Sequence, residues 1–130
     1  MPPMVFDHIG FNVKDFERSQ AFYCQALAPL DIQVVMAGEG WAFLGKAGRG
    51  ALWLGQYGEP NTPMHVAFAA ASRAQVDAFY AAAIAAGGID NGAPGVRSHY
   101  HPHYYGAFVL DPDGHNIEAV CHTPEPSDAG

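Results

Sequence analysis

A repeat at one fixed spacing constrains the fold of this chain more than any other feature. The segment HIGFNV begins at His8, and HVAFAA begins 57 positions later at His65. Further along, AFYCQAL at Ala21 returns as AFYAAAI at Ala78, again 57 positions later. The 130 residues therefore contain two copies of one unit. A chain of this length can build one domain with a real core but not two ordinary domains.

Each copy opens with period-two alternation, which is typical of a strand with two unlike faces. In FDHIGFNV the large apolar side chains of Ile9, Phe11 and Val13 share one side, and His8 lies on the other. In MHVAFAA the large apolar residues again lie opposite a histidine, His65. We expect the apolar sides to pack under helices and both histidines to lie on the opposite face.

A helix and three shorter strands are predicted after the opening strand of each copy. Asp15 and Ser72 are favourable N-cap residues for FERSQAFYCQAL and RAQVDAFYAAAIAA, and Gly87-Gly88 supplies a stop after the second helix. The strands lie near IQVVMA, WAFLG and ALWLG in the first copy, and near GVRSHY, YGAFVL and NIEAV in the second. Each copy is therefore a βαβββ unit. We predict one α+β domain over residues 4–122, with units at about 4–58 and 62–122 and a tail at 123–130.

The ends of the two copies align at a longer offset of 65, which matches Phe43 with Phe108 and Trp53 with Glu118. The difference between 65 and 57 corresponds to eight residues inserted in the second copy, around DNGAPGVRSHYHPHYY. We interpret this insertion as a lid or a substrate-specific loop. His115, just after the turn DPDG, is expected to face water.

Three side chains carry the predicted chemistry. Duplicated units commonly pack about a pseudo-twofold axis, so we expect His8 and His65 to face each other inside a cupped sheet. Glu118 lies in mid-strand, where burial of a carboxylate is costly unless it is paired or bound to a metal. Two imidazoles and one carboxylate with open positions between them suit a divalent transition metal.

Charge and segment composition argue against several other classes of function. The formal net charge is −7 with only six Lys and Arg, so we expect neither nucleic acid nor an anionic membrane surface as a partner. No apolar run approaches about 18 residues, and the N-terminus lacks the pattern of a signal peptide. Cys24 and Cys121 form no spaced metal or redox pair. We therefore expect free thiols and a cytoplasmic location.

The paired βαβββ units and the segments DHIGFNVKDFERSQAFY, HVAFAA and DPDGHNIEAV resemble the vicinal oxygen chelate superfamily. This group includes glyoxalase I, bleomycin-resistance and fosfomycin-resistance proteins, and extradiol dioxygenases. The resemblance covers residues 4–122 and implies two tandem units that form a curled mixed sheet around a metal cleft. It also implies a homodimer, with sites either complete within each chain or shared through exchanged units.

By this resemblance, the superfamily's metal-ligand positions correspond to four residues of this chain: His8, Trp53, His65 and Glu118. Three of them can bind a metal, and Trp53 cannot. The implied cofactor is one divalent transition metal, namely Fe, Mn, Ni or Zn. Glu118 is also the predicted catalytic residue.

The same positions limit the reaction. Glyoxalase I relatives place a carboxylate where Trp53 stands, which argues against lactoylglutathione formation. Extradiol dioxygenases share the two histidines and the glutamate but usually have a tyrosine where Phe108 stands, and no cluster of cations is present for a phosphonate. The resemblance thus implies a metal-dependent lyase, isomerase or ring-cleaving dioxygenase whose small substrate chelates the metal through neighbouring oxygens. The alternative is a non-catalytic drug- or metabolite-binding protein of the bleomycin-resistance type.

The inserted loop and several aromatic side chains are candidates for the substrate pocket. Arg97 would pair with an acidic group of the substrate, although a surface salt bridge is an alternative role. The loop also offers candidate bases for proton transfer, among them Tyr105 and His103, although a solvated loop is the alternative for its histidines. The complete set of predicted substrate contacts is Trp53, Phe108, Arg97, His99, His101 and Tyr104.

Overall fold

The computed structural model describes residues 6–60 and 63–124. The elements of the first unit are β1 (Ile9–Asn12), α1 (Phe16–Leu27), a 3-10 turn (Ala28–Leu30), β2 (Gln33–Gly38), β3 (Trp41–Lys46) and β4 (Arg49–Gly55). Those of the second are β5 (His65–Ala69), α2 (Arg73–Ala85), β6 (Ile89–Asp90), β7 (Gly95–Val96), β8 (Tyr105–Leu110) and β9 (Asn116–Cys121). The predicted domain start at residue 4, the predicted second-unit start at 62 and tail residues 125–130 lie outside the described residues.

Each unit forms its own mixed sheet, and the two sheets share one topology. The strand order is β1-β4-β3-β2 in the first sheet and β5-β9-β8-β6 in the second, where β7 also pairs with β8. In both sheets the opening strand runs parallel to the last strand of its unit, and the remaining pairs are antiparallel. The prediction of an α+β fold built from two βαβββ units is confirmed.

The register of the strands shows that the sequence repeat is a structural duplication. Gly10 pairs with Trp53 in the first sheet, and Ala67 pairs with Glu118 in the second. Residues 10 and 67 differ by 57, and residues 53 and 118 differ by 65, which are the two offsets seen in the sequence. Trp53 and Glu118 therefore occupy equivalent positions in the two sheets.

Both helices begin at the predicted caps. The side chain of Asp15 accepts a hydrogen bond from the N–H of Arg18, and that of Ser72 accepts one from Gln75. The second helix stops just before Gly87, whose φ of 100° is a conformation that glycine adopts readily. The helices pack against each other and against the apolar sides of the sheets. None of the helices in the described ranges has the length and apolar character needed to cross a membrane.

The strands that flank the predicted site are shorter than the period-two alternation of the sequence indicated. β1 begins at Ile9, so His8 precedes the strand and is exposed. In the second unit only Gly95–Val96 of the segment GVRSHY is a strand. The rest of the insertion is a compact loop, closed by a backbone hydrogen bond of 2.7 Å from the Arg97 N–H to the Tyr104 carbonyl.

A buried carboxylate joins the two units. Asp111 is only 4% exposed, and its Oδ2 accepts a hydrogen bond from the hydroxyl of Tyr23 on α1. Its Oδ1 accepts bonds from the N–H groups of Asp113 and His115, at 2.9 and 2.8 Å. Burial, reinforced by Asp111, raises the pKa of Tyr23 well above its ordinary value, so this hydroxyl remains a donor.

His115 is fully buried, and the prediction that it faces water was wrong. Its Nδ1 accepts a 2.9 Å hydrogen bond from the N–H of Met64, which precedes β5. Its ring lies 5.0 Å from that of Phe11 in β1. A polar residue after a turn is usually solvated, but this ring fills the space between the opening strands of the two units.

The contact between Tyr23 and Asp111 predicts a measurable loss of stability. Tyr23→Phe keeps the ring but leaves a buried carboxylate oxygen without its donor, which should lower the free energy of unfolding by about 1–3 kcal/mol. Urea denaturation measures the change, with Tyr57→Phe as the control because Tyr57 is exposed. Equal stabilities for the two variants would contradict the role of this bond.

Candidate metal and substrate site

The carboxylate of Glu118 is the centre of the candidate site. Glu118 lies in the middle of β9 and is 0% exposed. A charged group in such a position requires compensating partners. Among the described residues, neither Lys nor Arg forms an ion pair with it, and its only ion-pair contact is the imidazole of His65.

Both carboxylate oxygens of Glu118 are bonded to side chains. Oε1 lies 2.7 Å from Nε2 of His65, the first residue of β5. The parallel pairing of β5 with β9 sets His65 opposite Asn116, so His65 and Glu118 project from the same side of the sheet. Oε2 accepts a hydrogen bond from the hydroxyl of Tyr104, which immediately precedes β8.

Tyr104 acts as a hydrogen-bond donor in this arrangement. Burial and the neighbouring Glu118 carboxylate raise the pKa of Tyr104 well above its ordinary value. The hydroxyl is therefore protonated at neutral pH, which makes it a poor general base. Tyr105, another base suggested by the sequence, turns to the other side of β8 and donates to Asp77 of α2 at 2.6 Å. It lies away from the site, because adjacent residues of a strand face opposite ways.

Phe108 and Arg97 extend the site on the same side of the second sheet. Phe108 pairs with Glu118 across β8 and β9, and its ring lies 6.2 Å from that of His65. The Arg97 guanidinium lies over the Phe108 ring at 5.4 Å and donates to the carbonyl of Ala93 at 2.8 Å. No carboxylate in the described ranges forms an ion pair with Arg97. We call this side, with His65, Tyr104 and Glu118, the second face.

The equivalent side of the first sheet, which we call the first face, contains His8 and Trp53. His8 bonds to Asp7 through Nδ1 at 2.8 Å, and this bond is the main cause of the lowered pKa of Asp7. The His8 ring lies edge-on to Phe43 at 5.5 Å, as His65 lies near Phe108 in the second unit. A depression of about 540 Å³ opens here, lined by His8, Gly10, Phe11, Asn12, Phe43 and Trp53.

One chain brings together two of the three predicted metal ligands. His65 and Glu118 are in contact, whereas His8 lines both the depression of the first face and a cleft beside residues 66–68 of β5. Accordingly, residues 6–60 and 63–124 contain no group of three or more His, Cys, Asp or Glu side chains that could hold a metal. The imidazole and carboxylate fit a divalent transition metal in donor type and spacing, since the metal would replace the proton between them. They supply two of the three or more protein ligands that such a site needs.

Two predicted substrate contacts lie at the outer end of the second face. His99 and His101 are exposed residues of the inserted loop. The ring of His101 lies 5.6 Å from that of His122, which in turn lies 5.2 Å from that of Tyr104. His101 is thus linked to Glu118 through the ring of His122 and the Tyr104 side chain.

Sequence reasoning missed one residue of the site, Gly106. A methyl group at this position would lie 3.1 Å from Oε2 of Glu118 and 3.2 Å from the Tyr104 ring. The signal was present in YGAFVL, because a glycine within a strand often marks a close approach by another group.

The fold and this site define a duplicated βαβββ protein with a histidine–glutamate pair on one sheet. The family model described as "Glyoxalase/Bleomycin resistance protein/Dioxygenase superfamily" matches residues 5–119. The chain belongs to this superfamily, as the resemblance of its motifs predicted. No curated protein matches the chain.

Several solved structures are similar to the protein. A glyoxalase/bleomycin resistance protein from Albidiferax ferrireducens T118 is 34% identical, with a TM-score of 0.79 over 93% of this chain and 100% of that one. A family enzyme from Burkholderia phytofirmans PsJN is 18% identical, with a TM-score of 0.70 over 90% and 98%. A lactoylglutathione lyase from Agrobacterium tumefaciens is 18% identical, with a TM-score of 0.67 over 93% and 96%. The last two share the fold with this chain.

The close packing at Gly106 predicts that even one methyl group disturbs the site. Gly106→Ala should lower the free energy of unfolding by about 1–3 kcal/mol, because the buried carboxylate is held at both oxygens and cannot move aside. Gly58→Ala is the matched control, since a methyl group there would meet Asn12 at an ordinary 3.4 Å. Chemical denaturation of both variants measures the difference, and an unchanged Gly106→Ala protein would contradict the packing described.

Proposed function

We propose that the protein is a metal-dependent enzyme of the glyoxalase/dioxygenase type, acting on a small molecule that chelates the metal through neighbouring oxygens. The observation that carries this proposal is the buried carboxylate of Glu118, paired with His65 and with no Lys or Arg partner in the described residues. Membership of the superfamily supports the general kind of function that we propose, since many members bind a divalent metal and act on small molecules.

His65 and Glu118 would hold the metal, with His8 as the third ligand. When bound, a divalent Fe, Mn, Ni or Zn ion supplies a Lewis acid that stabilises negative charge on substrate oxygens. Glu118 is the residue we assign to catalysis, because it would contact the metal directly.

We propose that a homodimer completes the site, with His8 of one copy joining His65 and Glu118 of another. Three features support this arrangement. His8 has a half-exposed side chain and forms no three-membered donor group with the pair within the described residues of one chain. The first face has an open, aromatic depression, whereas the second face provides the buried acid. Edge strand β2 also leaves Met36 62% exposed, which is consistent with an apolar surface that a partner covers.

The walls of the shared pocket suggest what the substrate carries besides its chelating oxygens. Trp53 and Phe108 would provide apolar walls from the two faces. Arg97 lies beside Phe108 and has no carboxylate partner in the described residues, so it would bind an acidic group of the substrate. His99 and His101 would contact only the outer part of a bound molecule.

Metal content tests the proposed centre. Tag-free wild-type protein should contain near-stoichiometric metal by elemental analysis, and His65→Ala and Glu118→Ala should each lose it because each removes a donor. His99→Ala, in the exposed loop, is the control and should retain the metal.

Oxygen uptake by the loaded protein would then separate ring cleavage from isomerase or lyase chemistry. If wild-type protein neither contains metal nor gains thermal stability from added Fe(II), Mn(II), Ni(II) or Zn(II), the non-catalytic binding protein is the better description.

Mixing two inactive variants tests whether the site is shared. In a heterodimer of His8→Ala and His65→Ala chains, a shared arrangement leaves one site fully intact and places both substitutions in the other. The heterodimer, isolated through two different metal-free tags, should therefore regain metal that neither homodimer binds. If each site lies within one chain, every site carries a substitution and no metal returns.

A further inference from the structure

The two oxygens of Glu118 have different partners, and this difference constrains how the carboxylate can bind a metal. Oε1 lies 2.7 Å from Nε2 of His65, while Oε2 accepts the hydrogen bond of the Tyr104 hydroxyl. Glu118 is 0% exposed, so replacing either partner by bulk water would require its surroundings to rearrange. A rotation of the carboxylate would break both contacts at once.

We infer that Tyr104 is a positioning residue that restricts Glu118 to metal ligation through one oxygen. A metal held by Nε2 of His65 would have Oε1 as the neighbouring oxygen, while Tyr104 would keep its hydrogen bond to Oε2. Ligation through one oxygen leaves an additional coordination position open, which a substrate with two neighbouring oxygens requires. This inference rests on the proposed metal site.

The inserted loop holds the Tyr104 hydroxyl in place. The Tyr104 N–H donates to the His101 carbonyl at 3.1 Å, and the Tyr104 carbonyl accepts from Arg97 at 2.7 Å. The Tyr104 ring packs between those of Tyr100 and His122, at 5.0 and 5.2 Å. The ring is thus fixed by backbone and side-chain contacts, as a positioning residue requires.

The duplication supports a link between the loop and the carboxylate. The second unit has both the insertion and Glu118, whereas the first unit has no insertion and has Trp53 at the equivalent position. The unit that buries an acid is therefore the unit whose loop supplies a donor to that acid. The loop has this role in addition to any contact with the substrate.

A matched pair of substitutions tests the inference. Tyr104→Phe and Tyr105→Phe each remove one hydroxyl bonded to a carboxylate, but the partner of Tyr105 is Asp77 on α2. Mn(II) affinity is measured by the electron paramagnetic resonance signal of the free ion, and ligand geometry by the visible absorption spectrum of the Co(II) protein. Tyr104→Phe should bind Mn(II) about 10-fold more weakly or worse and should change the Co(II) spectrum, whereas Tyr105→Phe should do neither.

Other outcomes separate this inference from the proposed metal site. Unchanged affinity and spectrum in Tyr104→Phe would overturn the positioning role and leave the metal site standing. If wild-type protein binds no Mn(II) or Co(II), the proposed site fails and the positioning role fails with it.

The wild-type protein provides a second measurement that does not depend on the folding of a variant. The infrared difference spectrum on metal addition should show carboxylate stretching bands separated at least as widely as those of the free carboxylate. A separation clearly narrower than that of the free carboxylate, which marks chelation through both oxygens, would overturn the inference.

Discussion

The burial of the Glu118 carboxylate is the constraint on which the rest of the site depends. Removing a charged group from water costs several kcal/mol unless well-placed partners compensate. Here the parallel neighbour strand supplies His65, and the loop before β8 supplies Tyr104. Gly106 leaves the space that these contacts need. The strand register, the insertion and the glycine are therefore parts of one arrangement.

Duplication produced two equivalent sheets that have become chemically different. The first face pairs a histidine with Trp53 around an open depression, and the second pairs a histidine with a buried acid. The bond between Tyr23 and Asp111 and the buried ring of His115 hold the two units together. Neither face has a complete set of metal donors among the described residues, and the proposed homodimer would combine the faces of two chains.

The sequence was sufficient to predict the fold and half of the site. The two offsets predicted the duplicated units and the equivalence of Trp53 with Glu118. Alternation and cap residues predicted the strands and the helix starts, because periodicity and capping are local properties. Local patterns do not show which residues fill the space between units, so the burial of His115 was missed. Local patterns also do not determine where a loop ends and a strand begins. That boundary sets which way each tyrosine points, so that Tyr104 faces Glu118 and Tyr105 faces α2. The positioning of His8 relative to the pair depends on how whole sheets pack.

The proposed metal lies at a single point in space, between Nε2 of His65 and Oε1 of Glu118. Anomalous X-ray diffraction at the absorption edge of the bound metal tests this position most directly. We expect one strong peak in contact with both atoms, with His8 of a second copy as a further ligand. An anomalous peak only among the exposed histidines of the inserted loop, or no peak at the pair in crystals grown with excess metal, would contradict it.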